Sequence, residues 1–525
     1  MESFLGTFGH LVLGVLSGFD RLVFRGHLRQ LSYEQGMGYY LWANQVLLKD
    51  FKAHAIEQTK ALIDASLADA LRLKRPTPYL NSSKISKEDE ARRLAKRDQV
   101  QDGLICVLKC VEPCMTYEVH RNRERKMLEL RGKRGKCSFL YHYYMHPQFG
   151  LMHARIQTWF PYAIQVCING REWLGRQLDK AGLTYERRDN KFTDVESFVK
   201  AQALLDRQLR TAWPKTLDEI AQTIHPSHPQ LLGHAPMDYY WSVYQSEWAS
   251  DIVFRTRADA ERLFGQWVRH AMMNYHSTDV MRFLGKTIPL HGQVHAKFEG
   301  EVVSTLRRRE EGVCVKHWVN GNSIKMYDCD RNVRIETTIN QPEEFKVYRP
   351  SEADPEGKKE WRPMRRGVAD LNRRAEVSQA ANERYAAATA VIQDTTPLKD
   401  VVQPLCQRVP APGKTGKRKV RALNPFAAED AALLEAVNDP KHTANGLRNR
   451  DLVDMLYAKR ARTKEERQRR SARVTRLIRL LRAHGILHKV PKTHRYQVSP
   501  DGRKAVTALL AARNANAEFL TSNAA

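Results

Sequence analysis

The sequence predicts an α+β fold: an antiparallel-sheet-containing N-terminal region, then a helical connector, then a winged helix-turn-helix domain. Three observations carry this. Residues 101–350 are dominated by β-prone runs separated by turn residues, the pattern of strands joined by short connections. Ala-, Arg- and Glu-rich stretches with helical spacing follow them. The last hundred residues read as three helices, a short hairpin and a closing helix. At 525 residues, the chain can hold about three to five compact units. The expected division is 1–100, mostly helical; 101–350, an α+β domain with antiparallel sheet; 351–424, a helical connector and basic linker; 425–515, the winged helix-turn-helix; and 516–525, a tail.

Composition narrows the function classes. Hydrophobic residues make up 42% and charged residues 28%, which excludes wholesale disorder. Lys and Arg number 86 against 59 acids, a net charge of +27. Such an excess repels itself unless an anionic partner relieves it, so nucleic acid is the expected partner. No apolar run approaches the roughly 20 residues that span a bilayer, so no membrane partner is expected. Phe4 to Phe19 is apolar but broken by Gly6, His10, Gly14 and Gly18 and lacks a preceding Lys or Arg. It does not read as a signal peptide, and a cytoplasmic location follows as an expectation. The eight cysteines show no disulfide spacing. Cys106, Cys110 and Cys114, with Cys137, His120 and His142 nearby, read as buried thiols on strands or, at the limit, a zinc site.

The elements follow in order. Phe19-Asp-Arg-Leu-Val-Phe-Arg is a short strand, and Tyr33 to Leu73 is helical. Ser86 with Asp89 forms a capping box for a charged helix. Gly103 to Glu112 is a strand. Thr116–His120 and Lys126–Leu130 pair as a hairpin around the basic stretch Arg121–Arg125. Strands follow at Phe139–His146, Leu151–Phe160 and Ala163–Ile168. Asn169-Gly170 then opens a helix that Gly182 stops. Residues 198–225 are helical, Tyr239–Phe254 is a strand, and Arg257–Met272 is a helix. Gln157 before Trp159 and Gln245 before Trp248 suggest an internal duplication. Residues 293–348 form a meander, with turns at Asn320-Gly-Asn and Asp330-Arg-Asn. Gly367 to Ile392 is a long helix. Pro404 to Asn424, with the basic run Lys414–Arg421, is an exposed linker.

The C-terminal segment reads as helices at Glu429–Val437, Arg450–Tyr457 (capped by Asn449) and Lys464–His484, which Gly485 ends. A hairpin, Ile486–Val490 with His494–Val498, and a helix, Asp501–Arg513, close it. Leu480-Leu-Arg-Ala-His-Gly-Ile-Leu-His-Lys-Val, followed by His494-Arg-Tyr-Gln-Val-Ser-Pro-Asp-Gly-Arg, resembles the recognition-helix-to-wing segment of the MarR class of winged-helix proteins. The resemblance implies a DNA-binding fold over about 90 residues. From Lys441 to Ala525 there are 20 Lys/Arg and 6 Asp/Glu. Arg469, Arg473, Arg476 and Arg479 share one face of the third helix, opposite Val474, Leu477, Ile478 and Leu481. Lys489, Lys492 and Arg495 lie on the wing. These seven cations are the candidate duplex-DNA contacts.

Three groups could carry chemistry. His142, His146 and His153 could hold a divalent metal, with Tyr141, Tyr143, Tyr144, Trp159 and Phe160 stacking on bases. Lys325-Met-Tyr327-Asp328 followed by Arg334-Ile-Glu336 is similar to the strand pair of rolling-circle replication initiators, with Cys329 where those families carry Lys. That resemblance implies Asp328 and Glu336 as catalytic or metal-binding carboxylates. Tyr385, on the long helix, is the candidate nucleophile. Glu247 and Asp251 are four apart on one strand. No glycine-rich phosphate loop or Ser-His-Asp order is evident, so a divalent metal is the one cofactor these sets could hold. The sequence thus points first to a DNA-binding protein, such as a mobile element encodes. The alternatives are a metal-dependent, initiator-like nicking enzyme and a transcription regulator with a sensing or assembly domain.

Overall fold

Strand β1 (Val12–Leu28) is far longer than the seven residues its apolar run suggested. It continues through Gly14 and Gly18 because helices pack directly on them. A Cβ on Gly14 would stand 2.2 Å from the Phe198 ring. In the computed structural model, the described residues are all except 83, 189, 287–300, 310–311, 352–353, 355, 392–397, 411–418, 440–441, 443–445, 460, 492 and 515–525. The architecture mixes helices with antiparallel sheet, an α+β fold. The chain divides into two compact units, neither of them a continuous stretch. One comprises residues 14–253 and 336–375; the other comprises 1–13, 254–335 and 376–525.

In the larger unit the strands are β1, β2 (Gly103–Asn122), β3 (Met127–His146), β4 (Gly150–Gln157), β5 (Ile164–Asn169) and β8 (Tyr239–Phe254), in the order β2-β3-β4-β5-β1-β8. Beyond β8 lies the end of a strand that runs from Asn332 to Ile339. A small hairpin, β6 (Tyr185–Arg188) with β7 (Lys191–Val195), stands apart. Cross-strand pairs run in opposite directions along β1 and β8. Ser17 Oγ lies 3.0 Å from Ser250 Oγ, the Phe19 and Trp248 rings are 4.9 Å apart, and Arg25 lies 3.4 Å over Tyr244. One sheet face buries Leu16, Leu22, Phe24, Leu140, Ile156 and Val166 beneath helices that include Phe51–Arg72, Gly170–Lys180 and Trp213–Ile224. The other face packs Tyr141, Tyr143 and Leu108 against Ala91 and Leu94 of the helix Lys87–Arg97.

The helix after β5 begins as its sequence predicts. The Asn169 side chain accepts hydrogen bonds from the Arg171 and Glu172 backbone N–H groups. Residue 170 has to be glycine, since a Cβ there would overlap the Phe19 carbonyl oxygen at 1.6 Å.

In the C-terminal unit, β9 (Val302–Arg309), β10 (Gly312–Val319), β11 (Asn322–Cys329) and the first half of β12 (Asn332–Ile339) form the meander. Asn320 and Gly321 supply its left-handed turn, at φ 48° and 79°. Phe4, Phe8, Phe254 and Trp267 pack together. Helices Ala428–Val437, Asn449–Leu456 and Lys464–Ala483, strands Leu487–Lys489 and Tyr496–Val498, and helix Pro500–Asn514 share one core around Leu434, Leu452, Ile478 and Val506. Thr463 caps the long helix and Gly485, at φ 71°, follows its end.

Several expectations change. The hairpin is two 20-residue strands paired from Gly103–Met145 to Asn122–Met127. Its charged middle hides a ladder that backbone hydrogen bonds sustain. Lys346–Arg349 leaves the meander to pair with Glu360–Pro363. Asn449 is the first helical residue rather than the cap, and its Nδ2 donates to Ser471 O and Thr475 Oγ1 of the next helix, both at 2.9 Å. The Gln–Trp match does not mark equivalent positions: Gln157 ends β4, whereas Gln245 lies inside the long strand β8. The echo is instead Asp20-Arg-Leu-Val-Phe-Arg in β1 and Asp251-Ile-Val-Phe-Arg at the end of β8. Residues 293–300 of the expected meander, 414–418 of the basic run, Lys492 and the whole tail, 516–525, fall outside the described residues.

Candidate functional site

Asp20, Glu247 and Glu336 meet within the larger unit. One oxygen from each lies within 4.8 Å of the others. Asp20 comes from the middle of β1. Glu247 stands across from it on β8, as the Phe19–Trp248 pair beside them requires. Glu336 comes from the strand on the far side of β8. The three are 5%, 8% and 0% exposed. Like charges so close and so dry favour a shared proton or a cation between them.

Two arginines border the acids. Arg171, fully buried, places its guanidinium 2.8 Å from Asp251 and 3.8 Å from Asp20. The Arg21 side chain is exposed, and its guanidinium is held protonated above its usual range chiefly by the Glu247 carboxylate; Asp20 and Glu336 add to this. Asn190 Nδ2 donates to Asp20 at 2.9 Å. Gln245 Nε2 donates to Glu247. These bonds fix the carboxylates. Three hard oxygen ligands suit Mg²⁺ or Mn²⁺. In a Mg²⁺ octahedron neighbouring vertices are about 3.0 Å apart and opposite ones about 4.2 Å, so the trio would close inward to share one ion.

Glu336 thus meets two other carboxylates, and the histidines are elsewhere. His142 and His153 lie on opposite faces of the sheet, because His142 stands opposite Ala154 and Tyr143 opposite His153. His142 is buried against Ser66, with Nε2 3.1 Å from Oγ, and burial lowers its pKa to about 4. The His146 ring accepts from the Gln148 and Phe149 N–H groups and orders the turn. His153 sits between Tyr141 and Tyr143. The three imidazoles do not share a metal position. Tyr141, Tyr143 and Phe160 are core residues, and Tyr144 and Trp159 are half-buried against that core, so this set is not a stacking platform.

Tyr385 is likewise misplaced for a nucleophile. It is fully buried in the C-terminal unit among Tyr275 and Phe283, with its hydroxyl 3.2 Å from His317 Nε2. Desolvation raises its pKa far from any useful range. Asp328 is on β11 and outside the carboxylate cluster. Arg334 donates to Tyr327 OH at 3.3 Å. Cys106 and Cys110 pack in the core beside Ala91 and Leu94, and desolvation pushes their thiols up to about 12 and about 11.

On the long C-terminal helix, Arg469, Arg476 and Arg479 are exposed, and Val474, Ile478 and Leu481 are buried. Arg473 is exposed but pairs with Glu429 at 2.9 Å. Lys489 is exposed on the hairpin, and Arg495 is half-buried.

Sequence reasoning missed Asp20 and Arg21. The available signal was an acid inside an apolar strand, Phe19-Asp20-Arg21-Leu22-Val23-Phe24, repeated in form around Asp251. No protein-family model, no curated protein and no solved structure matches this chain.

Proposed function

We propose that the protein is a metal-dependent enzyme that cleaves DNA phosphodiesters, and that its C-terminal helices hold the duplex as a winged helix-turn-helix. The observation that carries the chemistry is the meeting of Asp20, Glu247 and Glu336 in a chain of net charge +27. A cation held there would polarise a phosphoryl oxygen and raise the supply of hydroxide at neutral pH. Arg21, beside the acids, offers a second positive group to a phosphate. Arg171 and Asn190 hold Asp20 in place.

The test is strand cleavage of a supercoiled plasmid and of labelled oligonucleotides with Mg²⁺ or Mn²⁺. Asp20→Asn and Glu336→Gln should each lower the rate at least 100-fold and leave duplex affinity unchanged. Metal-independent cleavage, or full activity in both variants, would end this reading.

A second reading, a DNA-binding protein without catalysis, is favoured by the exposed row Arg469, Arg476 and Arg479. It requires salt-sensitive duplex binding and no cleavage under any metal.

A further inference from the structure

We infer that the long β2–β3 ribbon, together with the helix Glu34–Ala43 packed on it, is a second nucleic-acid site, and that it takes a single strand. Charge is segregated between the ribbon's two faces. Cross-strand pairing puts Glu112, Glu118 and Glu129 on one face, together with Arg131 and Lys133. The basic residues there are already committed: Lys133 pairs with Glu118 and Arg131 with Glu129. The pairs Pro113–Lys136, Met115–Arg134 and Arg121–Leu128 point to the other face, which holds no acid from Lys109 to Arg121 or from Leu128 to Leu140. Arg121, Arg134 and Lys136 are exposed and make no ion pair among the described residues. A strand rises about 3.3 Å per residue, so Lys136 and Arg121 lie roughly 26 Å apart along the ribbon. The middle of this face, at Tyr117 and Leu130, is covered, so a backbone that reaches both cations would cross the helix packed there, and no compact anion could span them.

The helix packed on this face carries two exposed aromatics. The Tyr117 hydroxyl donates to Leu31 O, and the Gly132 N–H donates to Glu34, the first residue of the helix. The turn Leu48–Asp50 beyond the helix also touches β3. Between these anchors, Tyr39 and Trp42 stand 50% and 74% exposed with ring centroids 5.8 Å apart. An exposed tryptophan beside an exposed tyrosine costs apolar hydration in the free protein and offers stacking surface to unpaired bases. Cations that follow a backbone plus aromatics that stack bases are the means by which single strands are held without sequence preference. A duplex keeps its bases stacked internally and could use only the cations.

This site extends the proposed activity but does not depend on it, since it uses none of the carboxylates. The experiment is fluorescence-anisotropy titration of the full chain with a labelled 20-nucleotide single strand and with its duplex, in EDTA. The variants are Arg134→Ala with Lys136→Ala, Tyr39→Ala with Trp42→Ala, and Arg476→Ala with Arg479→Ala. All six positions are on the surface, and circular dichroism checks folding. The ribbon and aromatic variants should each lose at least tenfold for the single strand and less than threefold for the duplex. The C-terminal variant should show the reverse. Single-strand affinity within twofold of the parent in both ribbon-face variants, or equal loss for both substrates, overturns the proposal. Neither outcome bears on metal-dependent cleavage, which is scored separately by Asp20→Asn.

Discussion

Arg171 and Asp251 form an ion pair 2.8 Å apart in which both side chains are fully buried. The guanidinium also approaches Asp20 at 3.8 Å and donates to Ala249 O at 3.3 Å. The pair thus joins the start of the helix after β5 to β8 and steadies one carboxylate of the candidate site. Removing one member of such a pair strands the other charge in a dry interior. Arg171→Met should destabilise the chain by about 3–5 kcal/mol. Urea denaturation measures this; a loss under 1 kcal/mol would mean that Asp251 finds other compensation.

Bound cation should stabilise the fold, because the carboxylates come from three strands and converge only when folded. At about 100 times its dissociation constant, Mn²⁺ should add about 2.7 kcal/mol. The rise in thermal midpoint should vanish in Glu247→Gln. A rise that survives this substitution would place the ion elsewhere.

How much of this was legible in the sequence follows from what each element depends on. The helix after Asn169 was, because its cap and its glycine act locally. The buried face of Lys464–Ala483 was, because periodicity alone sets it. The length of β2 and β3 was not, since mid-strand charges such as Glu118 and Lys133 satisfy each other across the ladder rather than alternate with apolar residues. Glu336 was singled out, but its partners could not be. Asp20 and Glu336 are more than 300 residues apart, and only the order β1-β8-β12 brings them together. The three histidines looked like a set because they are close in sequence, but alternation sends His142 and His153 to opposite faces.

Acid should weaken the fold before the carboxylates protonate. His142, His225 and His317 are buried, and desolvation lowers their pKa values to about 4, about 3 and about 4. Unfolded, each would titrate near about 6.5. Between these values the unfolded chain binds the extra protons, so stability falls as pH drops from about 6.5 towards 4. The slope approaches about 1.4 kcal/mol per pH unit for each histidine. Thermal midpoints between pH 4 and 8 read it, and His142→Gln should flatten the curve. A midpoint constant down to pH 4.5 would contradict the assignment.

Tyr385→Phe should leave DNA cleavage unchanged. The hydroxyl has no route to a phosphate, and its partner is His317 Nε2 at 3.2 Å. Loss of that hydrogen bond should cost about 0.5–1.5 kcal/mol. A cleavage defect of tenfold or more at unchanged stability would restore tyrosine to the chemistry.

The cations on Lys464–Ala483 should not be equivalent. Arg476 and Arg479 are exposed and carry no ion pair among the described residues. Arg473 already meets Glu429 at 2.9 Å, in a pair whose members are 51% and 78% exposed. Exposed pairs are worth about 0.2–1 kcal/mol, so Arg473 can swing to a phosphate only by giving up that contact. Each phosphate neutralised releases counterions and adds about 0.9 to the slope of log affinity against log salt. Arg476→Ala and Arg479→Ala should therefore each lower the duplex slope by about 0.9, and Arg473→Ala by less. Glu429→Gln frees Arg473 and should strengthen binding in low salt, an effect that fades as salt rises. Titrations at four salt concentrations separate these cases. Equal slopes in all four variants would remove this helix from the duplex interface.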